Sequence, residues 1–403
     1  MKRFDITYFG GPPAEYIVKE EVIEDMARAG ITLCQIRCID GVETIKTALK
    51  LMKKHGLKAI VAENRILELV EKAQFENVDK VVKEVVEDYK EMSDIIEGWE
   101  IFDEPDTGQY PILSSIVAAF KKYAPNQETV INLYPNYAPL EALKAKSYVE
   151  YVERFIKEVH PDFLSYDHYT FVGRKLNKEV VNNDRETKKE LLIRVAAMRG
   201  AKRGEFFENI EDIRRLGLDN HIEQMLIILL TEHGDYRNLT KAEILWQVNM
   251  CLAYGMHRIS YFTYWLPEPS DFWKWDNAMC NRKGEKYQHY YDVQRINQEI
   301  HSIGAILFAH KSEVVFHIGT GENAVRQFEG YGPITNISGE HGVIGFFEDG
   351  YIYLVNHDFI YERTFTITAN QELARYENDE FISCGKKITI TLSAGAGTLL
   401  KLQ

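Results

Sequence analysis

The sequence predicts an α/β fold, a (β/α)8 TIM barrel followed by a C-terminal antiparallel β-sandwich. Three observations predict it. Eight apolar runs of strand length alternate with helical stretches up to about residue 311, the order that builds a parallel barrel. Beyond residue 312 the texture changes to short strands separated by turns. The length, 403 residues, suits a barrel of about 250 residues or more with an appendage.

Along the chain, Ile6–Phe9 is strand one, and Gly10-Gly11-Pro12-Pro13 is its loop. Glu15–Ala29 is amphipathic and stops at Gly30, a helix C-cap. Ile31–Ile36 is strand two, Val42–His55 its helix and Gly56 the stop. Leu57–Ala62 is strand three. A helical stretch, Val78–Met92, leads to strand four, which ends at Asp103-Glu104. Pro111–Tyr123 reads as helix and Thr129–Leu133 as strand five. Leu140–Val159 is helical, and Phe163–Tyr166 is strand six. Residues 172–220 are polar, mostly helical and longer than a crossover needs, so they read as helix six with an insertion. Met225–Thr231 is strand seven. Thr240-Lys241-Ala242-Glu243 is a capping box that opens the next helix, which ends at Tyr254-Gly255. Arg258–Thr263 is strand eight, and Tyr291–Phe308 the last helix. The expected domains are 1–311, the barrel, and 312–403, the sandwich. Its strands are Val314–Ile318, Val343–Phe347, Tyr351–Asn356, Thr364–Thr368, Lys387–Leu392 and Thr398–Leu402, with Asp349-Gly350 as a hairpin turn.

Composition narrows the function. Apolar residues make up 45% and charged residues 27%, ample for a core. The formal charge of −13 disfavours nucleic acid and anionic membrane, which select basic patches. No run reaches 18 uncharged apolar residues, so no membrane span is expected. The 23 Tyr, 20 Phe and 5 Trp crowd strand ends, where rings stack on sugars or simply fill a large core. Cys34, Cys38, Cys251, Cys280 and Cys384 are scattered, with no zinc spacing, and read as free thiols of a reducing cytoplasm. No apolar leader precedes strand one, which fits a cytoplasmic location; a trimmed leader would mean secretion. No His-x-His, carboxylate cluster or Gly-rich strand–helix turn marks a metal or nucleotide, so no cofactor is expected.

Two carboxylates carry the chemistry. Glu104 ends an apolar strand in Trp99-Glu100-Ile101-Phe102-Asp103-Glu104-Pro105, and Glu232 ends another in Leu229-Leu230-Thr231-Glu232-His233-Gly234. A buried strand that ends in an acid places a charge where a core needs none, and the C-terminal strand ends of a barrel are where catalysis occurs. Glycosidic cleavage needs one carboxylic acid to protonate the leaving oxygen and a second carboxylate to attack the anomeric carbon or activate water. Retention expects the two carboxyl groups about 5–5.5 Å apart.

These residues resemble the motifs of the clan A (4/7 superfamily) retaining glycoside hydrolases. Asp103-Glu104-Pro105 after strand four is similar to the clan's Asn-Glu-Pro, and Thr231-Glu232-His233-Gly234 after strand seven to its Thr-Glu-x-Gly. The resemblance implies Glu104 as acid/base and Glu232 as nucleophile, cleaving β-glycosidic bonds by double displacement. It implies Arg37 against the nucleophile, Trp265 as floor of the sugar site, and a Tyr bonded to the nucleophile from Asp167-His168-Tyr169. The C-terminal sandwich, ending Ala394-Gly395-Ala396-Gly397-Thr398-Leu399-Leu400, is similar to the one many members carry. One departure stands. The clan's Asn before the acid/base donates to the sugar 2-hydroxyl, whereas an ionised Asp103 only accepts. The expected placement is a divergent or unassigned branch with Asp-Glu-Pro.

Other candidates keep two readings each. Arg37 needs a carboxylate partner, Glu232 or Glu63. Glu63-Asn64-Arg65 lines the pocket or caps a helix. Asn132, Tyr134 and Asn136 follow strand five as polar pocket groups. His168 holds a sugar hydroxyl or is structural, and His233 could point away. Trp273 and Trp275 form a sugar-stacking lip or pack on the β-domain. The expected partner is a carbohydrate, and a homo-oligomer stays open. The alternatives are a transglycosylase with the same residues and a non-catalytic carbohydrate-binding barrel.

Overall fold

The computed structural model describes residues 4–37, 39–173, 205–270, 274–322 and 325–403. Eight parallel strands form a nearly closed barrel: β1 (Asp5–Phe9), β2 (Leu33–Ile36), β3 (Lys58–Ala62), β4 (Ile96–Asp103), β5 (Glu128–Leu133), β6 (Phe163–His168), β7 (Glu223–Leu229) and, as the eighth barrel strand, β9 (Arg258–Phe262). Pairing runs β1-β9-β7-β6-β5-β4-β3-β2. β1 and β2 meet through Thr32, whose N–H donates to Ile6 O at 2.9 Å. β8 (Glu232–His233) and β10 (Trp275–Asp276) form a short antiparallel pair above the barrel mouth.

The barrel interior holds a small apolar plug that includes Leu33, Ile60, Val130, Phe163, Met225 and Ile227. Period-two alternation sends these side chains inward and their neighbours out to the helices. Polar groups sit at the C-terminal ends of β4, β5 and β6: Asp103 is the last residue of β4, and Asn132 and Asp167 are the last but one of β5 and β6.

Helix breaks separate expectation from observation. Glu15–Ala29 is two helices, Ala14–Ile17 and Glu20–Arg28, and Leu140–Val159 is Leu140–Leu143 and Tyr148–Val159. The second break is set by Ser147, whose hydroxyl accepts from Glu150 N and starts a new helix. Glu63 caps a helix, Asn64–Glu71, the second of the two readings of Glu63-Asn64-Arg65. The insertion expected at 172–220 retains its final helix, Phe206–Asn220; residues 174–204 lie outside the described residues.

From Ser312 the chain is antiparallel: β11 (Ser312–Ile318), β12 (Ile334–Ser338), β13 (Gly342–Phe347), β14 (Tyr351–Asn356), β15 (Arg363–Glu377), β16 (Glu380–Leu392) and β17 (Gly397–Leu402). This is the β-sandwich domain, folded over Ile344, Leu354, Phe365, Ile390 and Leu400. Asp349 (φ 58°) and Gly350 (φ 76°) make the expected turn between β13 and β14.

The helix Lys241–Ala253 joins the two parts. Thr240 and Glu243 close the predicted capping box. Trp246 Nε1 donates to His357 O at 2.8 Å, Asn249 Nδ2 to Gly395 O at 2.8 Å, and Tyr353 OH to Asn249 Oδ1 at 2.8 Å. Two glycines permit this docking: a Cβ on Gly345 would collide with Ala253 O, and one on Gly395 with Ala242 O. Among the described residues no helix is long and apolar enough to cross a membrane.

Candidate active site

A register irregularity in β4 prepares the site. Glu100 pairs with Val130 but Phe102 with Ile131, so one extra residue lies between them. Such a bulge re-aims the side chains beyond it. Glu100 and Asp103 both meet groups of the barrel interior as a result. Gln35 Nε2 donates to Glu100 Oε2 at 2.5 Å, and Arg37 Nε lies 2.7 Å from Glu100 Oε1. Arg37 Nη2 lies 3.6 Å from Asp103 Oδ2, and its guanidinium covers the Phe9 ring at 4.1 Å. Arg37 therefore pairs with Glu100 and Asp103, not with either expected partner. Glu63 is taken by Arg65, Nε to Oε1 at 2.8 Å, and by capping Arg65 N. It is a helix cap.

Glu104 follows β4 in the left-handed region, φ 52°. For a residue with a Cβ this costs about 1–2 kcal/mol. Its N–H donates to Asn132 O at 2.8 Å, which holds the turn. Strain of this kind persists where the surroundings fix it, commonly at functional sites. Burial, then the charge of Asp103, pushes the Glu104 carboxyl up to about 7. Burial also lifts Glu100 to about 7 against the opposing pull of Arg37.

Asn132 is the hub. Its Nδ2 donates to Asp103 Oδ1 and to Asp167 Oδ1, both at 3.1 Å, and its Oδ1 accepts from Ser165 Oγ at 2.9 Å. Asp167 is 4% exposed. Burial, then Glu104 and Asp103, raises its carboxyl well above the usual range. Asp103, Glu104, Asn132, Tyr134, Asp167 and Tyr169 line one cavity of about 390 Å³, the size of a small-molecule site. The structure thus brings together six of the predicted residues.

Four others lie elsewhere. His168 alternates outward from Asp167, wholly buried between Tyr137 and Phe206 at 5.0 and 5.2 Å, with Nδ1 3.1 Å from Thr170 Oγ1. It is structural. Trp265 is 5% exposed and packs on Tyr16 at 4.7 Å, behind the barrel mouth. Phe262, the last residue of β9, faces the cavity in its place. Glu232 stands in β8, opposite Asp276, with Oε2 accepting from Asn277 Nδ2 at 2.9 Å. Glu232 is not among the residues on the cavity wall; its neighbour His233 is. Arg37 sits beneath the wall, bonded as above. Trp273 lies outside the described residues.

Several wall residues escaped the sequence. Phe9, Tyr137, Tyr236 and Phe262 all reach the cavity. Trp275, expected in a lip or against the β-domain, is on the wall as well, its ring 4.6 Å from His233. Strand-end position marked Phe9 and Phe262. Tyr137 and Tyr236 come from loops, whose paths no periodicity encodes.

No family model matches the chain, and no curated protein matches it by sequence. Solved structures do. A GH42 β-galactosidase from G. stearothermophilus aligns over 100% of this chain and 98% of its own, with TM-score 0.63 at 8% identity. A glycoside hydrolase family 5 protein from Bacteroides vulgatus aligns over 98% and 88%, with TM-score 0.59 at 10% identity. The chain spans 62% of the β-galactosidase from the psychrophilic Marinomonas ef1, with TM-score 0.54 at 8% identity. At these identities the likeness establishes the fold, a TIM barrel with an antiparallel β-domain.

Proposed function

We propose that the chain is a glycoside hydrolase acting on β-glycosidic bonds with retention, Glu104 as acid/base and Glu232 as nucleophile. One observation carries it: Glu104, on a strained strand-end turn in a carboxylate-lined cavity, has a carboxyl lifted to about 7. Such a group keeps its proton near neutrality and can give it away. Fold neighbours that are glycoside hydrolases agree with this reading.

In the first step the Glu104 proton passes to the glycosidic oxygen as the C1–O bond breaks. Glu232 forms the new bond to C1. In the second, the Glu104 carboxylate takes a proton from water, whose oxygen displaces Glu232 from C1. Glu232 must leave Asn277 and turn toward the wall that His233 already lines. Aromatic rings at the mouth, Tyr169, Phe262 and Trp275 among them, would hold the sugar's apolar face. The substrate is a carbohydrate, residues 1–311 the catalytic part and 312–403 its brace.

A second reading gives the Glu232 role to Asp167, because Asp167 shares the cavity wall with Glu104. The test is turnover of aryl β-glycosides by wild type, Glu104→Gln, Glu232→Gln and Asp167→Asn, with azide added to each. The variant in which azide restores aryl release and yields the inverted, α-configured glycosyl azide has lost the nucleophile; one that yields the β-azide has lost the acid/base. Full activity in Glu104→Gln would reject the proposal. An added acceptor sugar separates hydrolysis from transglycosylation by the product formed.

A further inference from the structure

Glu100 is a buried carboxyl that the proposed reaction does not use. It lies inside the barrel, its side chain 4% exposed. A carboxylate there is costly unless it is paired, so its partners show what it serves. Gln35 Nε2 holds one oxygen, and Arg37 Nε holds the other at 2.7 Å. The far arm of the same guanidinium, Nη2, comes within 3.6 Å of Asp103 Oδ2. Asp103 directly precedes Glu104 and shares the cavity wall with it. Glu100 and Asp103 therefore grip one cation from two sides.

The other ionisable groups near Glu104 do not replace this cation. The cavity lining contains no Lys or Arg. Asp167, across Asn132, is held well above the usual carboxylate range by its burial. Tyr134, Tyr137 and Tyr169 face these carboxyls, and burial raises all three phenols. Tyr236 stands behind Tyr137, hydroxyl to hydroxyl at 3.4 Å. Burial lowers His233. Glu232 is bonded to Asn277, and Asp106 is paired with Lys144 at 2.8 Å. With Glu100 ionised, two carboxylates share Arg37, and a net negative charge lies behind Glu104. With Glu100 neutral, Arg37 offsets Asp103 alone.

We propose that Glu100 is a positioning residue for the acid/base: by seating Arg37 it governs how much positive charge reaches Asp103, and so how tightly Glu104 holds its proton, without touching the substrate. Burial pushes Glu100 itself up to about 7, so its charge is present above that pH and absent below it. That is the range in which Glu104 gives up its proton. The proposal rests on the hydrolase reading for what the Glu104 proton does; the electrostatic link stands without turnover.

The experiment is a set of pH profiles on an aryl β-glycoside. Glu100→Gln keeps the shape and removes the charge. Its alkaline limb of kcat/KM should move down by about half a pH unit, about threefold in rate on the limb. In an Arg37→Gln background the same substitution should move nothing, because a buried carboxyl without its cation stays protonated. Glu100→Asp keeps the charge and should hold the limb near its wild-type place. Carbon-13 titration of the glutamate carboxyls gives the Glu104 midpoint without turnover, its signal identified by loss in Glu104→Gln. Thermal melts confirm that each variant is folded. An unmoved or raised Glu104 midpoint in Glu100→Gln would overturn the proposal. So would an equal shift with and without Arg37, or a limb that moves as far in Glu100→Asp as in Glu100→Gln. Loss of the limb altogether in Glu100→Gln would also overturn it, by making Glu100 the titrating group. If no glycoside is turned over, the hydrolase reading fails, and the carboxyl titration still decides the link.

Discussion

Glu104 combines two costs, a left-handed backbone and a buried acid, and both serve one role. Because its carboxyl is raised to about 7, the protonated form dominates below that pH and is lost above it. The kcat/KM profile should fall about tenfold per pH unit above about 7, the slope of losing one proton. Glu104→Gln should lack that limb; a variant that retained it would assign the limb to another group, Glu100 first, since burial lifts that carboxyl to the same value. At this scale the sequence was partly legible. Glu104 and Asp103 were visible because charge at the end of an apolar run is conspicuous. The Arg37 partners were not, since they depend on a one-residue bulge in β4 that leaves no compositional trace. Trp265 and Phe262 differ by three positions in an aromatic run. Only the exact end of β9 decides which of them meets the cavity.

Among the elements, the helix Lys241–Ala253 shows what local sequence can and cannot say. Its start was readable because a capping box is a local chemical pattern. Thr240→Ala should cost about 1 kcal/mol, seen as a lower urea midpoint at unchanged m-value. Its surroundings were not readable. It is buried almost all round, with Trp246 to Ala253 covered without a break, so it lacks the one-sided stripe of an ordinary barrel helix. The reason lies about a hundred residues away, in β13 and β14. Gly345→Ala tests this contact. Its added methyl would run into Ala253 O and force the β-domain off the helix. The expected loss is about 1–3 kcal/mol or more, as for overpacked cores; a melting temperature equal to wild type would show the contact to be dispensable. The Asn378-Asp379 turn between β15 and β16 was missed for a different reason. Both residues have positive φ without a glycine to announce it.

For the whole molecule, strand order was legible because eight apolar runs alternating with helices admit few closed arrangements. The union of the two parts was not. Val343, Phe347, Tyr353 and Leu399 of the β-domain belong to the same apolar cluster as the barrel helices. The protein should therefore unfold in one calorimetric transition. Two resolved transitions would mean that the parts are energetically separate. A chain ending after Phe308 should bind a hydrophobic dye strongly, because Trp246 and its neighbours would lose their cover.

The docking of Trp246 and Asn249 also bears on how the chain is made. Their partners, His357 and Gly395, are translated 111 and 146 residues later. At the usual pace of about 5–20 residues per second, that is a delay of several seconds or more. Throughout it, the outer face of a nearly finished barrel stands uncovered at the ribosome. Nascent chains stalled near residue 340 should expose this helix to a holding chaperone, and chains released at full length should not.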